Sequence, residues 1–215
     1  MRLEKGTEMN EYYNDQEKFW AGVFGDDYTQ RNQGESLLAS NVALFSKIFS
    51  QVAPLQSMIE FGANRGINLH ALRVLFPFME TSAVEINQSA VEELAKIGKI
   101  KIYHQSIQDF ACDYQRDLVL IKGVLIHLSP ITLKNAYTTF YRASKRYICI
   151  AEYYNPFPTE VSYRGHKDKL FKRDFAGEML EQFSDLRLIN YGFAYHKDPS
   201  FPQDDINWFL LEKCV

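Results

Sequence analysis

Apolar and polar positions alternate between two spacings along the chain. Between Ser36 and Ser50, Leu37, Leu38, Val42, Leu44, Phe45, Ile48 and Phe49 give the broad apolar face of a helix, which Pro54 stops. Five shorter runs read as strands: Met58 to Phe61, Glu80 to Ile86, Lys101 to His104, Asp117 to Gly123 and Arg146 to Glu152. Helical spacing returns between them at Asn68 to Phe76, Gln88 to Ile97 and Ile131 to Ser144. Asn87 caps the second of these, Gly98 closes it, and Pro130 opens the third. After a long irregular stretch, Tyr153 to Leu170, the pattern predicts a helix over Lys172 to Phe183. Two strands then follow, Leu186 to Tyr195 and Ile206 to Lys213.

Strands that alternate with helices make an α/β doubly wound sheet. Five strands with helical crossovers are expected to be parallel. The last two are joined by a loop alone and are expected to pair as a hairpin. The expectation is a seven-stranded, mostly parallel sheet with one antiparallel strand and helices on both faces. Residues 1–15 are polar and read as frayed or marginally helical. Phe19 to Asn32 is dense in aromatic residues and glycine without a clean period. It reads as a flap over an apolar edge or as a lid over a small-molecule site. The chain reads as one compact domain, with residues 1–50 as a helical and aromatic lid segment and residues 51–215 as the ligand-binding part.

Composition narrows the function. The 215 residues carry a net charge of −3 with both signs interspersed, so no basic stripe offers itself to nucleic acid. No apolar run approaches the roughly 18 residues of a membrane span, and no leader is evident. Cys112, Cys149 and Cys214 are far apart, and the five histidines are scattered, which suits neither a disulfide framework nor a metal site. The expectation is a reduced cytoplasmic protein without a metal. The 16 Phe and 13 Tyr include many in polar settings, where such rings line pockets.

The candidate chemistry starts at Glu60-Phe61-Gly62-Ala63-Asn64-Arg65-Gly66, a strand end, a tight turn and a helix start. That layout points backbone amides and a helix N-terminus at a ligand. The glycines are expected to leave room for close approach, and Asn64 tolerates the left-handed conformation of the turn. The dinucleotide fingerprint fails, because Asn64 and Ile67 stand where glycines belong, and the Gly-Lys-Ser/Thr of a P-loop is absent. An acid two residues before Gly62 suits a ligand with a positive charge and hydrogen-bond donors, as in S-adenosylmethionine. A turn of this kind is equally compatible with a purely structural role. In an open α/β sheet the ligand lies beyond the carboxyl ends of the strands. Those ends carry Glu60, Gly62, Asn64, Gly66 and Asn68 after strand one, and Glu85 and Ile86 after strand two. Ser106 and Ile107 follow strand three, and Lys122, Gly123 and Val124 follow strand four. Glu85 is placed to hold a ribose diol by two hydrogen bonds, and Ser106 with Ile107 to flank an adenine. Tyr28, Arg31 and Asn32 are the ligand-facing residues of the lid.

Six longer motifs then carry a resemblance. They are Phe-Trp-Ala-Gly-Val-Phe-Gly-Asp-Asp-Tyr-Thr-Gln-Arg-Asn, Gly-Ala-Asn-Arg-Gly-Ile-Asn-Leu, Lys-Gly-Val-Leu-Ile-His, Glu-Tyr-Tyr-Asn-Pro, Tyr-Arg-Gly-His and Phe-Lys-Arg-Asp-Phe-Ala-Gly-Glu-Met-Leu. Together with the terminal hairpin, they make the chain resemble the class I S-adenosylmethionine-dependent methyltransferases. From Phe19 to Leu211 it is similar more specifically to the pseudaminic acid biosynthesis-associated methylases. The resemblance implies a Rossmann-like fold, S-adenosyl-L-methionine as cofactor with S-adenosyl-L-homocysteine as product, and a sugar-pathway setting. The acceptor expected is a small anionic sugar, nonulosonic acid or nucleotide-sugar, with no nucleic acid or membrane partner.

Transfer of a methyl group from a sulfonium is an in-line displacement, so alignment and exclusion of water are the protein's contribution. Aromatic rings such as Tyr28 or Phe24 around a sulfonium add roughly 1 kcal/mol each. His127 is the first candidate base and Glu152 the second. Their structural alternatives are packing on the turn before Pro130 and anchoring the long loop. Trp20, Phe24, Tyr153, Tyr154, Asn155, Tyr163, Arg164, Lys172 and Arg173 are the candidate acceptor-binding residues, the cations suiting carboxylate or phosphate. The alternatives are a methyltransferase of another metabolite or of a protein side chain, and a non-catalytic cofactor-binding module.

Overall fold

The computed structural model describes residues 14–31, 34–165 and 169–214. The sheet begins with β1 (Ser57–Phe61), β2 (Glu80–Glu85), β3 (Ile100–His104), β4 (Arg116–Lys122) and β5 (Ser144–Glu152). A two-stranded ribbon, β6 (Thr159–Glu160) and β7 (Phe171–Lys172), precedes the last sheet strands, β8 (Leu186–Ala194) and β9 (Ile206–Lys213). The seven strands run in the order β3-β2-β1-β4-β5-β9-β8. The first five are parallel to one another, and β9 is antiparallel to both β5 and β8. This is the Rossmann-like sheet expected from the pattern, with its one reversed strand.

Strand alternation builds two apolar layers. Met58, Ala83, Leu118, Leu120 and Cys149 point to the side covered by α3 (Glu35–Ile48), α4 (Ile67–Leu75) and α5 (Gln88–Ile97). Ile59, Phe61, Val119, Ile121 and Ile148 point to the opposite side, under α6 (Leu133–Ala143) and α7 (Phe175–Gln182). With both faces covered, the central strands need no polar face, and β4 buries Leu118 through Ile121 completely.

The structure corrects the sequence reading at four places. The aperiodic aromatic segment forms two short helices, α1 (Asp15–Ala21) and α2 (Val23–Arg31). Asn14 starts α1 with a capping box closed by Glu17, a pattern that the aromatic crowding concealed. The connection from β3 to β4 holds no helix, although the two strands are parallel. The helix expected from Lys172 begins at Phe175, because Lys172 pairs with Thr159 in the ribbon and Asp174 caps the helix by accepting from Gly177 N–H at 2.8 Å. The helix expected from Ile131 begins at Leu133. Residues 1–13 lie outside the described residues.

Phe61 ends β1 in full burial, packed edge-on to Phe110 with ring centroids 5.2 Å apart and against Phe140 at 4.8 Å. Phe61→Ala is expected to lower the unfolding free energy by about 3–5 kcal/mol through lost transfer energy and cavity formation. Denaturant titration with an unchanged m-value checks this.

Candidate functional site

The turn after β1 shows why its residues stand where they do. Gly62 has φ 70°, Asn64 φ 48° and Gly66 φ 82°, all left-handed. Asn64 therefore occupies the kind of backbone that asparagine tolerates and most side chains resist. A Cβ on Gly62 would lie 2.5 Å from Val124 Cγ2, and one on Gly66 2.6 Å from Ile97 Cδ1. The space in the Cβ direction of these glycines is taken by the protein's own side chains, and Gly62 also lies in the walls of both cavities.

Glu85, at the end of β2, holds this turn. Its Oε2 accepts from Asn64 N–H at 2.7 Å, and its Oε1 accepts from Ile86 N–H at 2.9 Å and Asn87 N–H at 2.8 Å. Burial raises its pKa, against the lowering effect of these bonds. A carboxylate has about four acceptor positions. Three are used within the fold, which leaves acceptor capacity for a ligand hydroxyl.

The helices α1 and α2 lie across the carboxyl ends of the strands and are tied down by polar side chains. Thr29 Oγ1 donates to Asn64 Oδ1 at 2.8 Å. Asn87 caps α5 through Ala90 N–H at 2.9 Å, while its Nδ2 donates to Asp26 Oδ1 at 2.9 Å. Glu17 accepts from the Ser106 hydroxyl. Trp20 packs on His127 with ring centroids 4.4 Å apart and meets Tyr28 edge-on at 5.3 Å.

Beneath these helices run two cavities that share Tyr28, Gly62, Asn64 and Gly123 in their walls. The smaller, about 120 Å³, brings together Trp20, Glu85, Ile86, Ser106, Ile107 and Val124, with His127 at its edge. The larger, about 410 Å³, is walled by Asn68, Lys122, Arg65, Asn41, Gln203 and Asp204. Asp204, Gln203 and His196 come from the β8–β9 connection, which the sequence pattern showed only as a loop.

Charge is concentrated beside the larger cavity. Glu60 is fully buried and accepts from Asn68 Nδ2 at 2.6 Å; burial carries its pKa up to about 8 against the lowering pull of Asn68 and Lys122. Its Oε2 is a buried oxygen, and the Asn68 Oδ1 a buried acceptor, without a hydrogen-bond partner. Burial lowers the Lys122 pKa, opposed by Asp204, Glu60 and Glu152. Burial raises the Tyr153 hydroxyl, helped by Asp204.

The two candidate bases differ in setting. His127 is 7% exposed, and burial lowers its pKa to about 4, so the imidazole is neutral near pH 7. Its Nδ1 lies 2.8 Å from the Lys169 carbonyl, which can only accept, so Nδ1 carries the proton and Nε2 the lone pair. Glu152 accepts through Oε1 from Val124 N–H at 2.8 Å and Leu125 N–H at 2.9 Å, and burial lifts it to about 7. It anchors the turn after β4, not the long loop after β5.

Other candidates stand apart from both cavity walls. Arg31 is exposed, its guanidinium 5.8 Å from the Phe24 ring centroid. Phe24 stacks on Phe19 at 4.2 Å. Tyr163 faces His127 at 5.1 Å, with Arg164 over its outer side at 5.8 Å. Tyr154 bridges to Arg173, which pairs with Glu178 at 2.7 Å. Asn155 Nδ2 donates to the Phe157 carbonyl at 2.7 Å, and Lys172 lies 5.2 Å from the Tyr153 ring centroid. Asn32 and His166 lie outside the described residues. Among the described residues, no three His, Cys, Asp or Glu are grouped to hold a metal, and no helix is long and apolar enough to cross a membrane.

No family model matches the sequence, and no curated protein matches it. Solved structures match its fold. A 1,6-didemethyltoxoflavin-N1-methyltransferase of Burkholderia thailandensis, with 1,6-didemethyltoxoflavin and S-adenosylhomocysteine bound, aligns at TM-score 0.67 and 10% identity over 93% of this chain and 87% of that one. An S-adenosylmethionine-dependent methyltransferase of Leishmania major aligns at TM-score 0.68 and 14% identity over 92% and 86%. The glycopeptide N-methyltransferase MtfA complexed with S-adenosyl-L-homocysteine aligns at TM-score 0.63 and 12% identity over 90% and 98%. The chain has the Rossmann-like fold of these methyltransferases.

Two predictions follow from this geometry. Asn64→Ala is expected to cost about 2–3 kcal/mol, from left-handed strain and the lost Thr29 bond, whereas Asn64→Gly loses only the bond, about 1 kcal/mol. Chemical denaturation of both variants distinguishes them; equal losses would refute the strain component. Glu60 holds a proton in the fold that the unfolded chain releases above 4.5, so its stabilising contribution is complete below 4.5 and lost as pH rises through about 8. The stability of the wild type relative to Glu60→Gln is therefore expected to fall between about pH 4.5 and about pH 8, by on the order of a few kcal/mol, and to level off above that. A flat difference across that range would contradict the assignment.

Proposed function

We propose that the chain is an S-adenosyl-L-methionine-dependent methyltransferase acting on a small molecule. The observation that carries this is the pair of cavities meeting at the glycine turn, with a ribose-type acceptor, Glu85, in one wall and the unpartnered Asn68 Oδ1 beside buried Glu60 at the other. The neighbouring folds with S-adenosylhomocysteine bound support the same reading.

The residues present fit the cofactor. Asn68, in the wall of the larger cavity, would hold its ammonium group, because its Oδ1 is a buried acceptor without a donor. Glu85 would accept from one ribose hydroxyl, and Ile86, Ile107 and Val124 would flank the purine with apolar surface. Tyr28, in both cavity walls, would lie where the two halves meet. When bound, the cofactor supplies an electrophilic methyl group. The chain's own work is to align the acceptor and to exclude water, which α1, α2 and the Trp20 ring do by covering the strand ends. We read residues 1–50 as this lid and residues 51–215 as the body. An acceptor hydroxyl or amine must also lose a proton. Neutral His127, its Nε2 lone pair set by the Nδ1–Lys169 bond, lines the smaller cavity, and Glu152 lines neither cavity, so position favours His127 as the base although burial makes its imidazole a weak one.

For the acceptor, we infer an anionic sugar of the nonulosonic acid or nucleotide-sugar type, as in surface-glycan biosynthesis of the pseudaminic acid kind. Its support is the motif resemblance and the cations Arg164 and Lys172 near Tyr163 and Tyr153. Arg173, already paired with Glu178, contributes less to that reading.

Calorimetry with S-adenosylmethionine and S-adenosylhomocysteine is expected to show binding at sub-millimolar concentration, and incubation with nonulosonate-pathway intermediates a mass gain of one methylene. His127→Ala is expected to lower kcat by about 100-fold or more with little change in KM. Absence of cofactor binding would sink the reading; binding without transfer to any such sugar would sink only the acceptor.

A further inference from the structure

We propose that Glu17, on α1, recognises the exocyclic amino group of the nucleoside, so that the lid helix itself selects adenine. The proposal rests on the cofactor reading above and assigns a specificity determinant outside the sheet.

Glu17 is 7% exposed and lies in the wall of the smaller cavity with Ser106, Ile107 and Gln108. Most of the surrounding wall is apolar, from Ile86, Ile107, Val124 and Leu128, which suits the faces of a flat ring. A purine in such a slot is identified by the polar groups at its edge. Two of its neighbours fix the carboxylate in place. The Ser106 hydroxyl donates to Oε1, and Oε2 accepts from Asn14 N–H at 3.2 Å in the capping box. Each carboxylate oxygen accepts more than one hydrogen bond, so a donor from the cavity can join these.

Ser106 is thereby accounted for. Its proton goes to Glu17, and its oxygen accepts from Gln108 N–H at 3.0 Å. It acts as a positioning residue for Glu17 rather than as a direct contact to the ring, the role the sequence suggested. The pair also joins two distant segments, since Glu17 and Ser106 are 89 positions apart.

The chemistry selects one kind of edge. Both Glu17 oxygens act as acceptors, so an amino group matches them. A carbonyl oxygen in the same place would set lone pairs against lone pairs in a site shielded from water, with no compensating bond. Adenine carries the amine at that edge and hypoxanthine the carbonyl. The mixed donor and acceptor character of a glutamine would accommodate both.

The test compares S-adenosylhomocysteine with S-inosylhomocysteine by calorimetry on the full chain. The wild type is expected to prefer the adenosyl compound by about 10-fold or more. Glu17→Gln is expected to bring the ratio towards one, partly by tighter inosyl binding, and Glu17→Ala to bring it towards one by weaker adenosyl binding. Thermal melting of each variant monitors folding. If Glu17 only holds the lid, both nucleosides weaken alike, the ratio is preserved, and the proposal is overturned while the cofactor reading stands. A wild type that binds neither nucleoside removes the cofactor reading and this proposal with it.

Discussion

One buried carboxylate holds the carboxyl edge of the sheet together. Glu85 accepts from the amides of Asn64, Ile86 and Asn87, which belong to the turns after two different strands. Bonds to an ionised acceptor are about twice as strong as neutral ones, and here they replace water that burial has removed. They set how far the glycine turn stands from the start of α5. Much above the sheet depends on that spacing, because Asn64 and Asn87 are side chains that reach α2 and its neighbour. Thr29 bonds to the first, and Asp26 with the Trp20 carbonyl to the second. A shift of the Glu85 carboxylate would therefore move the turn, the helix cap and the lid in one step.

The larger cavity is governed by a different balance. Glu60, Glu152 and Asp204 surround Lys122, and burial pushes the two buried acids up and the lysine down. Opposed shifts of this kind mean that burial disfavours the charged forms, and apolar residues of similar volume would make a more stable core. Such a cost is ordinary for a site that must meet a polar ligand, and perturbed groups concentrate at sites of that kind. Under the proposed function, a ligand carrying an ammonium, a carboxylate and a sulfonium is the partner that offsets it.

What the sequence disclosed divides along the range of the interactions involved. The strand Ile206–Lys213 and the cap Asn87 were legible to the residue, because apolar alternation and capping chemistry are local. The left-handed Asn64 was legible for the same reason. The helices α1 and α2 were not, since Gly22 and Gly25 interrupt a run whose aromatic residues pack on one another or, as with Trp20 and Tyr28, line a cavity rather than form a core stripe. The roles of Asp204 and Glu17 were hidden altogether. Asp204 sits in a turn that any hairpin might carry, and its meeting with Lys122 and Tyr153 exists only in the folded sheet. The missing helix between β3 and β4 marks the limit of a topological rule: a parallel connection needs length, and the loop before Arg116 supplies it without helical structure.

The choice of asparagine at position 64 joins these strands of reasoning. Glycine would take the left-handed backbone at no steric cost, yet it has no side chain to accept from Thr29. The lid helices are 7 and 9 residues long, too short to persist in water on their own propensity. Their order must come from tertiary contacts, and the aromatic packing of Trp20, Phe24 and Tyr28 fixes area rather than register. Directional bonds fix register. Asn64 therefore trades a little backbone ease for a tether from the glycine turn to the helix above it. The same residue whose amide is gripped by Glu85 from below holds the lid by its side chain, so that turn and lid are positioned as one unit.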